Sequence, residues 1–122
     1  MREIKFRVWD TYRNKMIKWD ELHSDSNYLC LMVFDGNGYR TRAMQYTGLK
    51  DKNGREIYEG DIIVGTYKDM GTDTGLVVFK GCGFKVEIPN VGDDELVDWE
   101  RYSGSIEVIG NIYDNPELLK ED

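Results

Sequence analysis

At 122 residues, with 40% hydrophobic and 32% charged side chains and a net charge of −7, the chain has the composition of one ordinary globular domain. No apolar run reaches the ~18 residues needed to cross a bilayer, and the N-terminus lacks a signal-peptide core. Two cysteines, Cys30 and Cys82, and a single histidine make neither a disulfide framework nor a zinc site. The expected compartment is the cytoplasm, with no membrane association, no metal and no other cofactor.

In chain order, Ile4, Phe6 and Val8 alternate with Lys5, Arg7 and Trp9, the period of a half-buried strand. Residues 10–15 form a polar turn, and residues 16–19 return as the antiparallel partner. Residues 20–27 are polar, irregular or a single helical turn. Residues 28–34, almost wholly apolar and containing Cys30, read as a central strand. Asp35-Gly36-Asn37-Gly38 is a hairpin turn into a strand over 39–46, with Arg40 and Arg42 on one face and Tyr39, Thr41 and Ala43 on the other.

A second turn signal, Asn53-Gly54, follows. A two-residue loop would oppose Lys52 to Arg55 and Asp51 to Glu56. A three-residue loop with Gly54 left-handed opposes Asp51 to Arg55, Lys50 to Glu56 and Leu49 to Ile57. Cross-strand pairs contribute roughly 0.2–1 kcal/mol each, and like charges cost a similar amount, so the charge pattern predicts the three-residue loop. Gly60-Asp61 then turns the chain into the β-branched strand Ile62-Ile63-Val64.

Residues 68–75 read as a loop. Residues 76–80 and 84–88 form another hairpin, where a Gly81-Cys82-Gly83 loop would set Val78 opposite Val86 and Leu76 opposite Ile88. Pro89 stops the strand. Residues 91–102 are acidic, either a loop or a short helix with Leu96 and Trp99 facing inward. Residues 106–113 form the last strand, bent at Gly110, and Asn115-Pro116 caps a short terminal helix. The sum is an all-β chain. The expected architecture is a partly open small β-barrel, SH3-like in spirit, over residues 46–122, with an added N-terminal sheet over residues 1–45.

Several segments resemble the signature of the YopX-like family of small phage and prophage proteins. They are Tyr46-Thr47-Gly48-Leu49-Lys50-Asp51 and Ile57-Tyr58-Glu59-Gly60-Asp61-Ile62, supported by Ile4-Lys5-Phe6-Arg7 with Trp9-Asp10 and by Val108-Ile109-Gly110-Asn111-Ile112-Tyr113 with Asn115-Pro116-Glu117. They run in the expected order across a single domain, 1–122; Val8 stands where a smaller Ala is expected. The resemblance implies an all-β fold and a phage or prophage origin, and it brings no biochemical role with it.

The residues supply no catalytic pattern. Gly36-Asn37-Gly38 and Gly81-Cys82-Gly83 lack the third Gly and the following helix of a phosphate loop. His23 stands beside Ser24 in a polar stretch without a nucleophile elbow, which reads as a surface histidine. Residues 69–73 resemble a calcium loop but lack its Gly and closing Glu. Asp93, Asp94, Glu95 and Asp98 read as a solvated acidic run. The expectation is a non-enzyme that acts by binding, to protein or to itself as a homo-oligomer.

Charge is uneven: residues 1–55 hold 11 Lys/Arg and 7 Asp/Glu, net +4, and residues 56–122 hold 5 and 16, net −11. Aromatic and basic residues interleave in the first half. Arg7, Trp9, Tyr39, Arg40, Arg42 and Tyr46 are therefore the candidate binding surface, and single-stranded nucleic acid is the alternative partner. Their other reading is ordinary strand packing.

Overall fold

Among the described residues, the alternating and β-branched segments become strands. The structure is a computed structural model; it describes residues 5–10, 14–24, 41–66, 72–81, 83–89, 92–96 and 106–119. Its strands are β1 (Phe6–Asp10), β2 (Lys15–Ile17), β3 (Thr41–Lys50), β4 (Glu56–Tyr58), β5 (Asp61–Thr66), β6 (Thr72–Lys80), β7 (Gly83–Ile88), β8 (Gly92–Glu95) and β9 (Glu107–Asn111). A short helix, α1 (Trp19–Ser24), and a terminal 3-10 turn (Pro116–Leu119) complete the described elements. The fold is all-β, with two antiparallel sheets, one curled into a half-barrel. The chain divides into two compact units, Met1–Tyr46 and Thr47–Asp122.

In the first unit β1 pairs antiparallel with β2, Val8 facing Ile17, and with β3, Val8 facing Ala43 and Trp9 facing Arg42. Val8 and Ile17 are fully buried and Trp19 packs against them. The helical turn expected somewhere in residues 20–27 is α1, begun by Trp19. The strand read over 28–34, with Cys30, lies outside the described residues, as do the turn at 35–38, Tyr39 and Arg40, and Cys82 and Trp99 further on.

The C-terminal half of β3 meets β4 across the Asn53-Gly54 turn. The three-residue register is the one adopted. The Asp51 N–H donates to the Arg55 carbonyl at 2.8 Å, the Gly54 N–H to the Asp51 carbonyl at 3.0 Å, and Gly54 sits at φ 81°. Opposite charges face each other and the glycine takes the left-handed position.

The second unit's main sheet has the order β8-β7-β6-β5-β9. Its core gathers Ile57, Ile63, Val77, Val86, Ile88, Leu96, Ile106 and Val108, with Leu49 and Phe84 packed against them. Burying each such aliphatic side chain contributes about 1.5–3 kcal/mol.

Here the structure departs from the sequence in three places. First, the β6–β7 hairpin has a two-residue loop. Val77 faces Val86, Phe79 faces Phe84 and Lys80 faces Gly83, so Val78 lies opposite Lys85 and Leu76 opposite Glu87. A one-residue slip exchanges the faces of a strand. The adopted face wins because Val77 and Val86 both vanish into the core, while Lys80 and Glu87 meet at 2.6 Å on the opposite face. Gly75 fits the same face: a Cβ there would lie 2.3 Å from Val86 Cγ1.

Second, residues 72–75, read as loop, are strand. Thr72, Asp73, Thr74 and Gly75 pair with Thr66, Gly65, Val64 and Ile63, so β5 recruits a segment of weak strand propensity. Third, the acidic segment read as loop or helix supplies β8, which pairs with β7. Lys85 and Glu95 face each other across it and form an ion pair, and Leu96 is buried as expected.

The last strand bends where Gly110 suggested. Ile62 faces Gly110 and Ile63 faces Val108, leaving Ile109 as the extra residue of a bulge. The helix expected after Asn115 is the 3-10 turn Pro116–Leu119, and the Asn115 side chain reaches back toward β9 rather than forward. Asn115 Oδ1 accepts the Asn111 N–H at 3.3 Å, and its carbonyl accepts Leu118 N–H at 3.1 Å.

Candidate functional site

The polar residues of the central segment converge on backbone groups. Thr47 is buried; its hydroxyl donates to the Ile57 carbonyl at 2.7 Å and accepts the Leu49 N–H at 3.2 Å, pinning β3 to β4. Asp61 is 1% exposed, and its Oδ2 accepts the Tyr58 N–H at 2.8 Å, closing the turn between β4 and β5. Asn111 Oδ1 accepts the N–H groups of Tyr113 and Asp114 at 3.0 and 2.9 Å. These are the short side chains that satisfy turn backbone locally.

Asp51 does more, because it joins a local turn to a distant strand. Its Oδ1 accepts the Asn53 N–H at 2.9 Å and the Arg55 N–H at 2.8 Å, and its Oδ2 accepts the Val108 N–H of β9 at 3.0 Å. Around it the Lys52 N–H donates to the Ile106 carbonyl at 2.9 Å, Arg55 Nη1 to the Val108 carbonyl at 3.4 Å, and Lys52 pairs with Glu107 at 3.6 Å. The turn is thus a clasp on β9. The Lys52–Glu107 pair is exposed and contributes little; the buried carboxylate is what holds the clasp.

Burial by itself would raise the Asp51 carboxyl. The N–H donors of Val108, Arg55 and Asn53, together with the Arg55 charge, outweigh it and hold the group below its ordinary value of 3.8. A lowered folded-state pKa means that the stabilisation is complete above the unfolded-state value and is lost as pH falls through the folded one. Thermal midpoints should therefore be flat near neutrality and fall below about pH 5, with a shallower fall in Asp51→Asn than in the wild type. Equal slopes for the two proteins would show that other groups govern the acid limb.

A carboxylate held ionised by three donors is a weak proton acceptor, so Asp51 has the chemistry of a structural anchor rather than of a general base. Among the described residues no group of three or more His, Cys, Asp or Glu side chains is placed to hold a metal ion.

The described residues among those read as a binding surface share the paired strands β1 and β3. Arg7, Trp9 and Tyr46 lie in the first unit: Arg7 is half-buried, and Trp9 and Tyr46 are only 6% and 4% exposed. Lys5 Nζ stands 5.0 Å from the Tyr46 ring centroid. Arg42 is on β3 opposite Trp9 by backbone register. Tyr39, Arg40 and the Arg42 side chain lie outside what the structure describes. Trp9 and Tyr46 are covered, and a covered ring has no free face on which a base can stack. The residue that sequence reasoning passed over is Asp51 as a hub. Its signal was an acidic side chain two positions before Asn-Gly, where an Asx-type turn recruits the following N–H groups.

The comparisons agree with this geometry along nearly the whole chain. The family model described as YopX protein matches residues 5–120. The SPbeta prophage-derived uncharacterized protein YopX of Bacillus subtilis (strain 168) is 31% identical over 131 aligned residues, covering 94% of this chain and 95% of that protein. Among solved structures, protein EF1440 from Enterococcus faecalis superposes with a TM-score of 0.68 at 27% identity, over 98% of this chain and 100% of that one. The crystal structure of protein yopX from Bacillus subtilis shares the fold with a TM-score of 0.61 at 24% identity, over 100% and 99% of the two chains. No helix among the described residues is long and apolar enough to cross a membrane. With its signature residues in turns and strand pairings, and a family match from β1 to the terminal 3-10 turn, this chain belongs to the YopX family of prophage proteins.

Proposed function

We propose that this YopX-family protein acts by binding protein rather than by catalysis, in the cytoplasm of the bacterium that carries the prophage, and that its first partner is a second copy of itself. The observation that carries the reading is Phe79, 45% exposed on β6 with its ring centroid 5.0 Å from that of Phe84 in an edge-to-face pair. The buried Thr47, Asp51 and Asp61 are committed to backbone groups, whereas an exposed aromatic ring braced by Phe84 at a hairpin end is the type of anchor that protein interfaces favour.

Light scattering across a concentration series tests the proposal. The wild type should gain mass with concentration, and Phe79→Ser should weaken association by about tenfold or more, since aromatic anchors commonly contribute above 1–2 kcal/mol. A wild type that stays monomeric throughout removes self-association. Salt-dependent retention on single-stranded DNA by such a monomer would point to nucleic acid instead.

A further inference from the structure

The Asn53-Gly54 pair combines two properties that matter chemically as well as structurally. An asparagine followed by glycine is the pair most prone to intramolecular deamidation, because no Cβ shields the nitrogen that must attack. Both residues are exposed at the head of the turn. Yet the turn holds that nitrogen: the Gly54 N–H donates to the Asp51 carbonyl at 3.0 Å, and the Asn53 N–H donates to Asp51 Oδ1 at 2.9 Å.

We propose that Asn53 is a modification site gated by the clasp, protected while Asp51 holds the turn and converted whenever the turn opens. In the open state the Gly54 nitrogen loses its proton to water and attacks Asn53 Cγ. The N–Cγ bond forms, the Cγ–Nδ2 bond breaks and ammonia leaves, giving a cyclic imide. Water then adds to one of the two imide carbonyls and opens the ring, yielding aspartate or isoaspartate at position 53. No oxidant or other co-reactant is needed.

Two features oppose the reaction in the closed turn. The proton to be lost is engaged in a hydrogen bond, and the Asp51 carboxylate disfavours a second negative charge forming at the neighbouring amide nitrogen. Opening requires the Asp51 bonds to Asn53, Arg55 and Val108 to break together. At the net contribution of a few such bonds, the closed turn slows conversion by about 100-fold relative to the unfolded chain.

The product also acts on the gate. Isoaspartate adds a methylene to the backbone path between Asp51 and Arg55, which spoils the spacing that brings two N–H groups to one carboxylate oxygen. Aspartate places a new negative charge two residues from Asp51. Either product leaves the clasp on β9 weaker than before, so the conversion marks molecules that have opened and keeps them loose.

The test is peptide mapping by mass spectrometry after incubation in mildly alkaline buffer, native and in urea. Asn37-Gly38, the chain's other Asn-Gly pair, serves as the reference in urea. The expected result is comparable conversion of Asn53 and Asn37 in urea, with Asn53 slowed about 100-fold in native buffer. Asp51→Ala should remove most of that protection. Independently of whether this variant folds, hydrogen exchange of the Gly54 amide in the wild type gives a second measure: its protection should equal the protection of Asn53 from conversion. Equal Asn53 rates with and without urea, a stable Asn53 in urea while Asn37 converts, or Gly54 protection unrelated to the conversion rate would each overturn the proposal.

Discussion

Replacing Asp51 by alanine is expected to lower the unfolding free energy by about 3–5 kcal/mol, and replacing it by asparagine by about 2–3 kcal/mol. Alanine strands the N–H groups of Asn53, Arg55 and Val108, all paired to the carboxylate in the wild type. Asparagine keeps Oδ1 for the two local donors but presents an NH2 group to the Val108 N–H, setting donor against donor. Urea denaturation measures both values, with the midpoint moving and the slope unchanged if the native state remains compact. The order Ala worse than Asn is the informative part, because it separates hydrogen-bond acceptance from simple loss of charge. If Asp51→Asn were as stable as the wild type, the Val108 bond would contribute nothing and the clasp would be incidental.

The second large effect is expected at Gly75. An exposed glycine in a strand usually gains about 0.5–1 kcal/mol on replacement by alanine, because the unfolded chain loses freedom. At Gly75 the sign should reverse. The new methyl would fall 2.3 Å from Val86 Cγ1 and 3.2 Å from the Glu87 carbonyl oxygen, inside a core where Val86 is fully buried. Such overpacking costs about 1–3 kcal/mol. The double variant Gly75→Ala, Val86→Ala should be less destabilised than the two single variants added together, since the second change removes the atom that the first one strikes. Strict additivity in thermal or urea unfolding would contradict the register in which Val86 faces Val77.

That register shows where the sequence was legible and where it was not. Around Asn53-Gly54 the choice of loop was decided by neighbours in the chain, Lys50, Asp51, Arg55 and Glu56, whose charges agree in only one pairing. Around residues 81–82 they do not decide. Leu76, Val77, Val78 and Phe79 are all apolar, so the run has no period of two, and either alignment sets apolar against apolar. The tie is broken by Gly75 making room for Val86, a contact between facing strands that no local rule contains.

The same reason explains β8 and the first residues of β6. Gly92–Glu95 and residues 72–75 are polar segments drawn into strands by the partners beside them, β7 and β5. For the candidate site, basic residues interleaved with Trp9 and Tyr46 read as a surface or as ordinary strand packing, and in the fold both rings are buried. Asp51 was legible as half of a cross-strand pair. Its bond to Val108, 57 residues away, was not.

That separation also orders events in time. The Asn53 and Arg55 N–H groups reach Asp51 within a few residues of chain, so one carboxylate oxygen can be filled as soon as the turn is synthesised, while the other waits for Val108 to emerge. Loop-closure entropy places such a long-range bond after the local β5–β6 and β6–β7 pairings. The clasp is therefore expected to close late in folding, with its receiving half assembled first, and a φ-value near zero at Val108 would show it.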